Sequence, residues 1–211
     1  MIALIENIFK MKKYSIEELT SFETGIAEVF NSGSIKAPIH LYDGNEKQMI
    51  EIFENIEDDD WVFCTWRSHY QCLMKGVPPD RLKTDIIEGK SISLCYPEYK
   101  IYSSAIVGGS IPIATGTALD LKRKNSANHV WCFVGDMSAE TGTFHENYKY
   151  ALNHDLPITY IIEDNNKSVC TDTRKVWNKD LLSFEGNKNK IIYYKYNSKY
   201  PHSGAGKRIE F

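Results

Sequence analysis

Two oxygen-bearing clusters stand out by residue type and spacing. Gly135-Asp136 closes a short apolar run, residues 130–134, and Glu163-Asp164-Asn165-Asn166 closes a second, residues 157–162. Both runs are β-branched and aromatic, the composition of strands buried in a parallel sheet. An amphipathic segment separates them. In open parallel sheets, ligands bind beyond the carboxyl ends of the strands. Asp136 and Asn165 are far apart in the chain, but adjacent parallel strands would bring their tips together. A carboxylate beside an amide suits a hard cation such as Mg²⁺, which takes oxygen ligands and keeps part of its shell for phosphate. The chemistry indicated is a cation and diphosphate site. The plain alternative is a strand–helix–strand unit with polar ends. A lone Gly-Asp would not separate the two; the spacing, Leu156-Pro157 and the second run together favour the site.

Residues 130–171 resemble the thiamine diphosphate motif, G-D-G followed some way on by N-N. More closely, they resemble the alpha subunit of the two-chain 2-oxo acid dehydrogenase decarboxylating component, of the pyruvate and branched-chain type. The counterparts here are Gly135-Asp136-Met137, Gly142, Leu156-Pro157 and Glu163-Asp164-Asn165. The resemblance implies Asp136 and Asn165 as Mg²⁺ ligands with the Lys167 carbonyl as a third, and Gly135, Met137 and Ser138 among the cofactor-binding residues. Met137 stands where the family has glycine, so its N–H reaches a phosphate only if the local backbone angles suit a residue with a Cβ.

Further segments are similar to the same family. Trp66-Arg67-Ser68-His69 matches Y-R-x-H, whose first two residues hold the terminal phosphate. An arginine fork can grip phosphate bidentately, and tryptophan can still donate one N–H. His69 either lines the substrate side or orients Arg67. Ala105 and Val107 match positions whose backbone holds the aminopyrimidine, the apolar side chain propping the cofactor. Tyr200-Pro201-His202-Ser203 resembles the family's H-S loop, which makes His202 the counterpart of the active-site histidine and Ser203 that of a serine phosphorylated in eukaryotic members. The opposing reading of His202 is a mobile loop histidine. His40, in His40-Leu41-Tyr42-Asp43-Gly44, reads as a buried, hydrogen-bonded histidine. Residues 88–102 depart most, replacing a longer glycine-rich loop near the family's substrate entrance. The resemblance covers residues 15–203.

The elements that must position these residues can be read beside it. Ser15 caps a helix with Glu18 completing a capping box; Ile16, Leu19, Phe22, Ile26, Val29 and Phe30 follow at helical spacing, and Gly33 ends it. Residues 61–66 form a strand, and the proline pair before Asp80 starts a helix. Ala114, Gly116 and Ala118 are small residues that permit close packing of one helix, whose Lys122-Arg123-Lys124 end is solvated. Residues 172–189 are polar, with Leu181, Leu182 and Phe184 to bury, and residues 191–196 form the last strand. The fold expected is α/β, a doubly wound, mainly parallel sheet with helices on both faces. Residues 1–211 form a single diphosphate-binding domain.

Composition narrows the classes. The hydrophobic share of 42%, charged share of 25% and net charge of −3 describe an ordinary globular chain and give no reason to expect nucleic-acid binding. The opening MIALIENIFKMKK is too short and interrupted for a membrane span. Five scattered cysteines without C-x-x-C pairing read as reduced core thiols of a cytoplasmic protein. Nothing in the sequence reads as a second cofactor-binding domain.

The resemblance therefore implies a separate beta chain supplying the pyrimidine-binding domain and the activating glutamate, in an alpha2beta2 heterotetramer. The activity implied is decarboxylation of a small 2-oxo acid and transfer of its acyl group to an acceptor, with His202 and His69 as the catalytic histidines. A two-component acyloin synthase or transketolase-like enzyme is the alternative. A subunit that keeps the fold without turnover is the third; intact Arg67, Asp136 and Asn165 speak against it.

Overall fold

The computed structural model describes residues 11–203 and 209–211; residues 1–10, most of the opening stretch weighed above, lie outside the described residues. The chain begins with α1 (Ile16–Asn31), capped as its sequence requires: the Ser15 hydroxyl accepts the Glu18 N–H, and the Glu18 carboxylate accepts the Ser15 N–H. Gly33 follows it at φ +80. Then come α2 (Glu46–Phe53), β1 (Trp61–Cys64), α3 (His69–Met74) and α4 (Pro79–Ile87). Next are β2 (Cys95–Tyr96), β3 (Ile101–Ser103), α5 (Ser110–Arg123), β4 (Val130–Gly135), α6 (Asp136–Ala139) and α7 (Gly142–Asn153). The remainder is β5 (Ile158–Asp164), the hairpin β6 (Lys167–Ser168) and β7 (Thr171–Asp172), α8 (Thr173–Trp177) and β8 (Ile191–Lys195).

Six strands form one sheet in the order β2-β3-β1-β4-β5-β8. All neighbours pair parallel except the β2 edge. Strand alternation sends the two sides of the sheet into two cores. Val62, Cys64, Trp131, Phe133 and Ile161 pack against α1 to α4. Phe63, Val130, Cys132, Val134, Tyr160 and Ile162 pack against α5 and α7. Helices therefore cover both faces, as a double winding demands. Adjacent β1 and β4 pass into helices on opposite faces, α3 and α4 on one side and α7 on the other. A crevice opens between the carboxyl ends of two strands that diverge in this way.

Several details correct the sequence reading. β1 ends at Cys64 instead of Trp66, because Thr65 and Trp66 turn away from the sheet into the crevice. Leu181 is 69% exposed, while Leu182 and Phe184 are buried. Ala114 and Ala118 face the sheet, but Gly116 lies on the open side of α5, where a Cβ would meet nothing within 4 Å. Cys64, Cys72 and Cys132 are core thiols, whereas Cys95 and Cys170 are exposed. The polar stretch after β5 supplies a hairpin and a short helix of its own. No helix among the described residues is long and apolar enough to cross a membrane.

Candidate functional site

The parallel register of β4 and β5 pairs Gly135 with Glu163, so the residues that follow each strand emerge side by side. They line one pocket. The turn after β1 contributes Trp66 and Arg67, the end of β4 contributes residues 135–138, the end of β5 contributes Asn165 and Lys167, and Tyr196 closes it beyond β8.

Asp136 is 1% exposed, and its Oδ2 meets no hydrogen-bond partner. Burial, reinforced by the nearby Asp164 charge, pushes its carboxyl up to about 7. A buried carboxylate oxygen without a donor is costly, and a bound cation would satisfy it. Asn165 Oδ1 accepts the Lys167 N–H at 3.0 Å and keeps a second lone pair. Its neighbour Asn166 is occupied elsewhere, with Asp172 and Arg174. Among the described residues no group of three or more His, Cys, Asp or Glu gathers. The pocket offers instead one unpartnered carboxylate oxygen, on Asp136, one amide and a main-chain carbonyl, a set that fits Mg²⁺ shared with a phosphate; the Glu163 carboxylate, also in the lining, is taken by Tyr42, Asn45 and Tyr194.

Arg67 is the matching cation for that phosphate. Its Nε donates to the Leu41 carbonyl at 3.3 Å, and no ion pair to it occurs among the described residues. Trp66 Nε1 is buried without an acceptor. Met137 sits in α6 and is not among the residues of positive φ, so its Cβ is tolerated there. The donor set thus fits a diphosphate. Ser138 and Val107 meet Trp66 in a small adjoining recess. Val107 is 51% exposed, and Ala105, also exposed, precedes it in the β3–α5 turn outside the pocket lining. Gly109 permits that turn, since a Cβ would come within 2.8 Å of the Ile106 side chain.

His202 is held in place. Asp43 Oδ1 accepts the Ser198 hydroxyl at 2.9 Å and the Lys199 N–H at 2.7 Å, and the buried Ser203 hydroxyl accepts the Ile39 N–H at 3.2 Å. Gly44, at φ +81, lets the two loops meet: a Cβ would lie 2.2 Å from the Asn197 carbonyl oxygen. The His202 ring stacks on His40 with centroids 4.2 Å apart, and Nδ1 of each is buried and unpartnered. Burial, then the charge of Arg67, holds His202 below its ordinary pKa; burial, His202 and Arg67 take His40 down to about 3. Both rings are neutral near pH 7. His40 is buried as expected but lacks the expected partner at Nδ1, and its place beside His202 was not foreseen.

His69 requires a correction. It is fully buried; Nδ1 meets the Glu23 carboxylate at 3.0 Å and Nε2 meets the Ser91 hydroxyl at 2.9 Å. Glu23 also accepts the Tyr42 N–H. With both nitrogens engaged and no bond to Arg67, His69 ties α1 and α3 to the turn at Ser91 and neither reaches substrate nor orients the arginine. The sequence reading also missed Glu163. It is buried in the pocket lining and accepts Tyr42 OH at 3.0 Å, Asn45 Nδ2 at 3.2 Å and Tyr194 OH.

A family model described as "Dehydrogenase E1 component" matches residues 14–199. The alpha subunit of acetoin:2,6-dichlorophenolindophenol oxidoreductase from Bacillus subtilis (strain 168) is 31% identical over 159 residues, covering 70% of this chain and 47% of the relative. The protein of the same name from Cupriavidus necator is 29% identical over 157 residues, with the same coverages. Pyruvate dehydrogenase E1 component subunit alpha of Rickettsia bellii is 28% identical over 174 residues, covering 77% of this chain and 53% of the relative. The chain spans about half the length of these relatives.

Proposed function

Because the chain belongs to the dehydrogenase E1 component family, we propose that it is the diphosphate-binding, alpha-type subunit of a two-chain thiamine diphosphate enzyme that decarboxylates a small 2-oxo acid and passes the acyl group to an acceptor. The observation that carries this reading is the convergence of Arg67, Asp136, Asn165 and Lys167 on one pocket at the β1/β4 crevice. In it, Asp136, Asn165 and the Lys167 carbonyl hold Mg²⁺, Arg67 and Trp66 bind the terminal phosphate, and the backbone of Ala105 and Val107 holds the aminopyrimidine. Thiamine diphosphate, when bound, supplies the carbanion-stabilising ring at which a 2-oxo acid loses CO₂.

The chain's own residues bind, orient and move protons. Neutral His202, which lines the neighbouring cleft with Arg67, Asn165 and Lys167, would exchange a proton with a substrate bound there, and stacked His40 fixes its ring plane. Depressed pKa values keep both imidazoles from competing with Mg²⁺ for the phosphates. Exposed Val107 and Ile106 support a partner chain that covers the mouth and brings the activating glutamate, in an alpha2beta2 assembly.

A second reading takes an acyloin in place of the 2-oxo acid. It is favoured by the relative named for acetoin, at 31% identity against 28% for the pyruvate enzyme above, and by the altered segment at residues 88–102. A substrate scan with both classes decides between them. Titration of thiamine diphosphate with Mg²⁺ into the chain, alone and with a co-expressed beta-type chain, tests the main reading. Binding that Asp136→Ala abolishes is the expected result. Binding indifferent to Asp136→Ala overturns the metal assignment, and no binding in either preparation overturns the function.

A further inference from the structure

The turn that presents Asn165 and Lys167 to the pocket is not held by its own backbone. Asn166 sits at φ +56, in the left-handed region that costs a side-chain-bearing residue free energy. Five contacts keep it there. Its N–H donates to Asp164 Oδ1 at 2.8 Å, its Nδ2 donates to Asp172 at 3.0 Å, its carbonyl accepts the Thr173 N–H at 3.1 Å, and its Oδ1 accepts both Arg174 Nη1 at 2.9 Å and, at a longer 3.3 Å, the Arg174 backbone N–H. Arg174 is the common member of this cage. Its guanidinium also spans both oxygens of Asp164, at 3.2 and 2.7 Å, and donates to Glu185. Its Nε donates to the Asp180 carbonyl at 3.2 Å. One fork therefore binds the last residue of β5, the strained residue of the turn and the segment after α8.

We infer that Arg174 is a positioning residue for the cation site: by clamping Asp164 and Asn166 it fixes the left-handed turn, and the turn aims the Asn165 amide and the Lys167 carbonyl into the pocket. This rests on the cofactor reading above. The geometry makes the dependence specific. Asn165 and Lys167 flank Asn166 directly, so a change of φ at Asn166 turns the Lys167 carbonyl away from the Asn165 amide, whose Oδ1 now accepts the Lys167 N–H at 3.0 Å, and breaks their common aim. Lysine at 174 could keep the charge opposite Asp164 and Glu185. It could not span both Asp164 oxygens and the Asn166 amide at once, since its charge is a single ammonium.

The test is Mn²⁺ binding to the full chain with thiamine diphosphate present, followed by electron paramagnetic resonance, beside thermal unfolding of each variant. Arg174→Met is expected to weaken Mn²⁺ binding by about tenfold, the usual scale for groups that orient metal ligands. Arg174→Lys should lose similar affinity with a smaller drop in melting temperature, which keeps the test alive if the methionine variant folds poorly. The decisive arm is Asn166→Gly combined with Arg174→Lys. Glycine takes φ near +56 without a tether, so the double variant should recover most of the lost affinity, which a merely stabilising role for Arg174 would not produce. Undiminished binding in Arg174→Lys, or a loss that Asn166→Gly leaves untouched, overturns the inference alone. Failure of the unmutated chain to bind Mn²⁺ with the cofactor present, both alone and with a co-expressed beta-type chain, overturns the cofactor reading and this inference with it.

Discussion

Asp136 is buried with Oδ2 unpartnered, so in the ligand-free chain burial outweighs the Thr173 side chain and the Asp136 and Met137 backbone donors that favour its charge. Asp136→Asn removes the charge at nearly constant volume. It is expected to raise the stability of the ligand-free chain by about 1–2 kcal/mol and to abolish the stabilisation that the proposed binding of thiamine diphosphate with Mg²⁺ would give the unmutated protein. Denaturant unfolding with and without the ligands reads both effects. Glu163 makes a comparable case through pH. Burial pushes its carboxyl to about 7 from an ordinary 4.5. A raised folded pKa means that the folded state holds the proton more tightly than the unfolded chain. The stabilisation is full below about pH 4.5 and is lost as pH rises through 7. The melting temperature of Glu163→Gln relative to the unmutated chain should therefore climb between pH 5 and pH 8; a flat or falling difference refutes it. Asp136 and Asn165 were legible in the sequence because strand tips in a parallel sheet follow from pattern alone. The surroundings of Glu163 were not, since Tyr42 and Asn45 come from 121 and 118 residues away. His69 was misread for a related reason: a motif gives a residue's neighbours in the chain, not the carboxylate of α1 that folds onto it.

At the scale of elements, helical spacing identified α1, short β-branched and aromatic runs identified β4 and β5, and the family resemblance identified α5; their placement follows from alternation into two cores. The stretch after β5 resisted this reading, because short polar elements are shaped by ion pairs and turns with no period. One of those turns, Val169-Cys170 between β6 and β7, puts a β-branched residue at φ +58. Such a conformation costs about 1–3 kcal/mol. Val169→Gly is expected to stabilise the chain by about 1 kcal/mol after the extra backbone entropy of glycine is subtracted, measured as a shift in denaturation midpoint at unchanged slope. Gly116 poses the reverse case. It lies in the middle of α5 beside open space and one turn from exposed Ile113. Gly116→Ala should stabilise the chain on its own by about 1 kcal/mol through helix propensity. If that face of α5 receives a partner helix at close range, the same methyl weakens assembly. Stability and association measured on one variant should thus move in opposite directions.

Taken as a whole molecule, the chain surrounds its pocket with apolar surface that its own core does not use. Ile106 is 74% exposed in the β3–α5 turn, beside Val107, and Leu181 and Trp177 stand exposed in the segment after β5. Both segments lie at the carboxyl end of the sheet, on either side of the crevice. Exposed apolar groups gathered around a ligand mouth are characteristic of a surface completed by another chain. Ala105 and Val107, proposed to hold the aminopyrimidine, belong to that same rim, so closing the site and docking a partner would be one event. Ile106→Asp separates this from a fold requirement. A side chain so exposed contributes little to the chain alone, and its unfolding free energy should change by no more than about 0.5 kcal/mol. A charge at the centre of an apolar contact, however, is left desolvated and unpaired on docking. The variant is therefore expected to stay apart from a beta-type chain that co-elutes with the unmutated protein in size-exclusion chromatography with light scattering. Co-elution of Ile106→Asp at the same protein concentration would place the partner on another face, and the pocket would then have to be closed by some other segment.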